Sequence, residues 1–279
     1  MRSLSRIVVY VLAVAMIAFA GIASFIGGHV PASVPSDAPA YSLSPFSEAL
    51  RAVDDRGQID LVELKKRHES LENFVASLAA TSPETKPDLF PTVEARLAYW
   101  LNAYHAAVLL ELMDTRSTKS SASDELFNAV AIGGHRVTRW SMYRNTLSQS
   151  GDARVFFSIA TGEKGRGVLD GAPFDADSLN LQLDDAMRRF VQRKDHVSID
   201  GKTVKLSVLF QRHREEILAA LPDERKNVLQ IVWAYLPETC EADKPGCHTR
   251  ADLDSACGNK FDACTTEFVE PDPTLTIRN

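Results

Sequence analysis

Residues 91–113, PTVEARLAYWLNAYHAAVLLELM, are the stretch from which the fold is read. Val93, Leu97, Trp100, Leu101, Tyr104, Val108 and Leu112 recur at helical spacing and cover much of the circumference, which predicts a helix buried in the core. Three polar residues interrupt it. At 100° per residue, Glu94, Asn102 and His105 fall within about 80° of one another and share a face. Buried polar groups are hydrogen-bonded or wet, so this face marks either an internal network or the wall of a cleft.

Upstream, Ser44 and Pro45 open a helix with Phe46, Ala49, Leu50 and Val53 on one face, and residues 54–57 (DDRG) end it. Residues 59–79 read as a second helix. Downstream the period changes. Residues 129–137 contain Gly133-Gly134 and end extended, and residues 140–147 form a brief helix. Residues 154–160 (RVFFSIA) have the β-branched and aromatic composition of a strand. Residues 162–171 hold four glycines and read as a loop, of which 162–167 is expected to be solvated and mobile. Residues 178–192 are helical, with Leu179, Leu183, Ala186, Met187 and Phe190 inward. Asp200-Gly201 turns a hairpin. Residues 207–220 and 227–235 end the domain as helices. The expected class is α+β: a predominantly helical domain with a small, mostly antiparallel sheet, plus an N-terminal transmembrane helix.

That last expectation rests on the twenty uncharged residues 7–26, which follow Arg2 and Arg6. At 1.5 Å per residue such a helix spans about 30 Å of hydrocarbon. The basic flank puts residues after it outside the cytoplasm. An uncleaved anchor is expected; cleavage after the small-x-small Ala18-Phe19-Ala20 is the alternative and would leave a secreted protein. The expected location is therefore the inner (cytoplasmic) membrane, single-pass, with the domain in the periplasm or outside the cell. The domain plan is 1–26 signal-anchor, 27–43 a flexible Gly/Pro/Ser/Ala linker, 44–236 the main domain and 237–279 a cysteine-containing tail.

Cys240, Cys247, Cys257 and Cys264 all lie in the tail, spaced C-x6-C, nine residues, C-x6-C. After export they read as two disulfides, with three pairings open. Zinc, with His248 beside Cys247, is the competing reading, although zinc sites favour shorter spacings. Net charge is −6 over 279 residues with no Lys/Arg block, which argues against nucleic-acid binding. No cofactor or metal is expected. The expected partners are the membrane through residues 7–26 and an envelope protein or a small-molecule ligand.

Residues 98–107 (AYWLNAYHAA) resemble the F-W-I-N-x-Y-N-A segment of the domain of unknown function 547 (DUF547) family. Gly57-Gln-Ile-Asp-Leu61 with Leu64 is similar to the family's G-x-V-D-Y-x-x-L. Ala153-Arg154 and Phe157 match its P-R-I-H-F. Residues 180–186 (NLQLDDA) resemble its L-x-x-Q-L-D-x-A, and Leu206-Ser207 with Phe210 its L-S-x-I-F. The resemblance covers about residues 44–236 and identifies a divergent member. The departures fall at particular positions. Where the pattern carries a His, this chain has Phe156. Its two cysteines fall on Thr161 and Arg166, its second Asn on His105, and its acidic residue on Tyr143.

If the family uses that thiol and imidazole, this chain lacks both, because a thiolate needs a cysteine and a matched base. The resemblance therefore implies a non-catalytic binding or interaction domain. The alternative is a hydrolase or transferase acting on a cell-envelope component, with His105 in the site. The candidate cleft comprises Asn102, Tyr104, His105, His135, Arg154, Lys164 and Arg166. His68, His196 and His213 sit among charges and read as surface. Residues 162–167 (GEKGRG) lack the Lys-Ser/Thr of a Walker loop, and no H-E-x-x-H, G-x-S-x-G or dinucleotide glycine pattern occurs.

Overall fold

The structure, a computed structural model, describes residues 30–31, 34–114, 128–221, 227–240, 247–258 and 260–278. Its first half runs β1 (Val30–Pro31), α1 (Ser44–Leu50), β2 (Ile59–Asp60), α2 (Leu61–Lys66), α3 (His68–Ala80) and α4 (Val93–Asp114). The hairpin β3 (Ala129–Ile132) and β4 (His135–Thr138) follows, turned by Gly133 and Gly134 at φ of 55° and 82°. Next come α5 (Arg139–Asn145), α6 (Val155–Ser158), α7 (Leu179–Val191), β5 (Val197–Asp200) and β6 (Thr203–Ser207). The remainder is α8 (Leu209–Arg212), α9 (Arg214–Ala219), α10 (Val228–Tyr235), α11 (Arg250–Cys257), β7 (Thr265–Val269) and β8 (Ile277–Arg278).

Two hydrophobic cores organise these elements. α4 threads the first, and every residue from Ala98 to Leu109 is buried. Around it pack Phe46 and Phe74, stacked at 4.6 Å between ring centroids, with Leu64, Leu71 and Leu78. The second core gathers Met187 and Phe190 of α7, Val204 and Leu206 of β6, Phe210, Val232 and Leu253.

The single helix expected over residues 59–79 is two, broken at Arg67. Asp60 caps the first by accepting the Glu63 amide at 2.9 Å. Residues 154–160 correct a second expectation: in place of a strand the chain makes the one-turn α6. The reason is packing in three directions. Val155 enters the first core, Phe157 the second, and Phe156 faces the cleft between them. A strand offers only two faces, whereas steps of about 100° serve all three, so tertiary packing overrides β propensity.

The sheet component is three small sheets rather than one. β4 lies between β1 and β3, β2 pairs in parallel with β8, and β6 pairs antiparallel with β5 and parallel with β7. The tail is not a separate appendage: Leu253 and Cys257 enter the second core and Leu275 the first. It also covers the glycine loop. Lys164 donates to the Thr274 carbonyl at 2.8 Å, Gly165 to Asp272 at 3.0 Å, and Thr276 to Gly162 at 2.7 Å. A Cβ on Gly165 would lie 2.3 Å from Pro271, so only glycine permits the approach. The expected solvated, mobile loop is therefore a covered and bonded one.

The transmembrane expectation is corrected. Residues 7–26 lie outside the described residues, and among those described no helix is long and apolar enough to cross a membrane. The most apolar long helix, α4, carries Glu94, Arg96, Glu111 and Asp114 and spends its apolar surface inside the protein. Over the described residues the fold class is α+β, with no membrane helix among them.

Candidate functional site

The polar face of α4 closes on itself. Asn102 is 1% exposed; its amide donates to the Phe174 carbonyl at 2.7 Å and its carbonyl accepts the Phe174 N–H at 2.8 Å. This clamp holds the segment leading into α7. His105 is 3% exposed. Its Nε2 accepts the Ala160 amide at 3.1 Å and its ring is bonded to the Ser158 backbone, so the neutral imidazole is satisfied on both sides. Burial pushes its pKa down to about 4, against the smaller opposing pull of the Ser158 bond. Glu94 is on the surface. The predicted shared face is thus a structural network, and His105 is not a base in a cleft.

A cleft of about 250 Å³ does exist, at the seam between the two cores. α5 contributes Arg139, Trp140 and Tyr143, its N-terminus fixed by Thr138, which accepts the Ser141 amide at 3.1 Å. Arg139 is 1% exposed and held by Glu111 through Nε and Nη2, each at 3.0 Å. Its Nη1 stands 3.4 Å from the Tyr104 hydroxyl. α6 and its continuation supply Phe156, Ile159, Thr161 and Arg166; α8 supplies Leu209 and Arg212.

His213 sits at the break between α8 and α9 and completes the lining. It lies parallel to Phe156, 3.7 Å between ring centres and 5° between planes, and its Nε2 is 3.3 Å from the Tyr143 hydroxyl. Burial holds its pKa below the usual histidine value although Glu216, 3.9 Å from Nδ1, pulls the other way. Two buried polar atoms here have no hydrogen-bond partner among the described residues: Thr161 Oγ1 and His213 Nδ1.

The sequence-predicted residues divide among five places. Tyr104 and Arg166 reach this cleft. Asn102 and His105 are sealed in the core. His135 is exposed beside a separate depression with Ser82 and Trp100. Arg154 is spent on Asp152 at 2.6 Å and Asp184 at 2.8 Å, and Lys164 lines another groove with Arg56 and Arg193. His196 and His213 are corrections as well, since neither is a surface residue. His196 is 1% exposed and stacked on Phe190.

Sequence reasoning missed Arg139, Trp140, Arg212 and His213. The one signal available was the departures from the family pattern: four of the five, Tyr143, Phe156, Thr161 and Arg166, line this cleft, while His105 does not.

The tail cysteines pair Cys240–Cys247 and Cys257–Cys264, which leaves no thiolate for zinc. His248 Nε2 instead accepts the Ile199 amide at 3.2 Å. Among the described residues no group of three or more His, Cys, Asp or Glu is placed to hold a metal ion.

No curated protein and no solved structure matches the chain. The family described as protein of unknown function, DUF547, matches residues 90–191, from Phe90 ahead of α4 to the last residue of α7. That stretch contains the α4 network and most of the cleft lining, and over it the chain is similar to the DUF547 family.

Proposed function

We propose that this chain is a non-catalytic member of its family, working by binding in an oxidising compartment outside the cytoplasm. One observation carries the reading. Of the five positions at which its sequence departs from the family pattern, four, Tyr143, Phe156, Thr161 and Arg166, line a single cleft, and the fifth, His105, lies in the core. A nucleophile there would need a base within hydrogen-bond reach. Thr161 Oγ1 has no partner among the described residues, and His213 turns its Nε2 to Tyr143 instead. The place of the pattern's histidine holds a phenyl ring stacked against His213. Concavity, buried polar groups and aromatic walls remain, and these serve binding. The alternative hydrolase or transferase reading through His105 has no support from a ring that is 3% exposed.

The compartment is supported by the two disulfides, which persist where thiols are not kept reduced. The partner is an envelope component, protein or small molecule. The test is to incubate the purified chain with ester, amide and phosphoester substrates. No turnover above buffer is expected. Turnover lost on His213→Ala or Thr161→Val would overturn the reading.

A further inference from the structure

We infer that the cleft at the seam of the two cores takes a small organic oxyanion, a carboxylate or phosphate head on a flat apolar body, held by Arg166 and Arg212 and by the Thr161 hydroxyl. The inference rests on the proposal that this domain binds without converting its ligand, and names what it binds.

Charge is the first argument. Arg139, Arg166 and Arg212 line the cleft beside His213, and no Asp or Glu does. The carboxylates that pair with the arginines, Glu111, Glu163 and Glu270, all stand outside the lining. Positive groups therefore face inward, with their counter-charges behind. Glu163 meets Arg166 through Nε at 3.3 Å, and Glu270 meets Arg212 through one terminal nitrogen at 3.0 Å. Each guanidinium keeps donors for a second partner, and a guanidinium fork suits the paired oxygens of a carboxylate or phosphate.

The second argument is independent of charge. Thr161 is 7% exposed, yet its Oγ1 has no hydrogen-bond partner among the described residues. A buried hydroxyl left unpaired is costly, and one lining a cavity is accounted for by a ligand atom that completes it. The walls define the rest of the ligand. The parallel Phe156–His213 pair, Trp140 and Leu209 offer flat apolar surface beside the cationic end. At about 250 Å³ the space lies below the ~300–1,000 Å³ of drug-sized pockets, so the ligand is small.

The experiment is calorimetric titration of the full chain, disulfides intact, with benzoate, phenyl phosphate, inorganic phosphate and phenethylammonium. Probes are recovered and weighed by mass spectrometry. Benzoate or phenyl phosphate should bind, their ranking separating a carboxylate from a phosphate ligand. Inorganic phosphate should bind more weakly, and the cation should not bind. Arg212→Gln should weaken the preferred probe roughly tenfold or more, since it removes a charge-assisted hydrogen bond. Thr161→Val should weaken it severalfold, and Arg56→Gln, in the neighbouring groove, should leave it unchanged.

Absence of binding by both aromatic anions at millimolar concentration, in a chain that still unfolds cooperatively, would overturn the inference. So would binding indifferent to both cleft variants, or equal binding of the cation. Phenyl phosphate returned as phenol and phosphate would overturn the non-catalytic reading while leaving the oxyanion site in place. Intact probe without binding would overturn the oxyanion site alone.

Discussion

The interior of α4 and the cleft beside α5 both withdraw polar groups from water, and they treat them in opposite ways. At Asn102 and His105 the side-chain bonds are matched to backbone groups of Phe174, Ala160 and Ser158. At Thr161 Oγ1 no hydrogen-bond partner is found among the described residues, and His213 Nδ1 has only Glu216 at 3.9 Å. Matched groups make a fold specific; unmatched ones weaken it, and their retention needs another reason. Polarity in a core helix is therefore a poor guide to function, and the better guide is a polar group without its bond.

The largest effect expected from breaking this contrast is at Asn102. Asn102→Ala would strip both backbone groups of Phe174 of their partner. It should cost roughly 2–5 kcal/mol of stability, read as a lower urea midpoint. A loss under about 1 kcal/mol would mean that the Phe174 segment rewets easily and that the interior is less closed than its geometry indicates.

The next effect is on pH dependence. His105 titrates near 6.5 when unfolded and near 4 when folded, so between these values the unfolded chain binds more protons. Its stabilisation is complete above pH 6.5 and is lost as pH falls towards 4, on the order of 3 kcal/mol. His196, also held near 4 mainly by burial, acts in the same direction. His105→Gln should flatten the fall in urea midpoint between pH 7 and 4. An unchanged slope would place the sensitivity elsewhere.

Thr161→Val should move stability the other way. Replacing an unpaired buried hydroxyl with a methyl of the same shape should gain about 1 kcal/mol, or roughly 2–4 °C in Tm. A loss of similar size would show that the hydroxyl has a partner in the folded chain and would remove the contrast. The smallest effect is at Arg212, whose pair with Glu270 is exposed. Arg212→Gln should change stability by no more than about 0.5 kcal/mol in thermal melts, so that its effect on binding reads cleanly.

Much of this fold was legible because local periodicity reports burial. α4 begins two residues after its expected start and ends one residue after its expected end; the inward residues of α7 and the hairpin after α7 were equally plain. The failures share a cause. Val155, Phe156 and Phe157 have strand composition, but they sit where three surroundings meet, and nothing in the local sequence describes that meeting. His213 follows Arg212 and precedes Arg214, which reads as surface until Phe156 and Tyr143 are brought to it across the chain. Four of the cleft's lining residues could be listed in advance as departures from a pattern. The cleft itself could not be located, because its walls come from elements whose approach no spacing encodes.

The pairing of β8 with β2 fixes when the molecule can finish folding. Ile277 and Arg278 lie against Ile59 and Asp60, and the Arg278 guanidinium meets the Asp60 carboxylate at 3.0 Å. Leu275, just before them, fills part of the first core. A chain emerging from the ribosome therefore cannot close that core until residue 275 has been made, and contacts of such separation form slowly. This also means that truncation before residue 272 would remove part of the α4 core and strip the glycine loop beside the cleft of its backbone partners Asp272, Thr274 and Thr276.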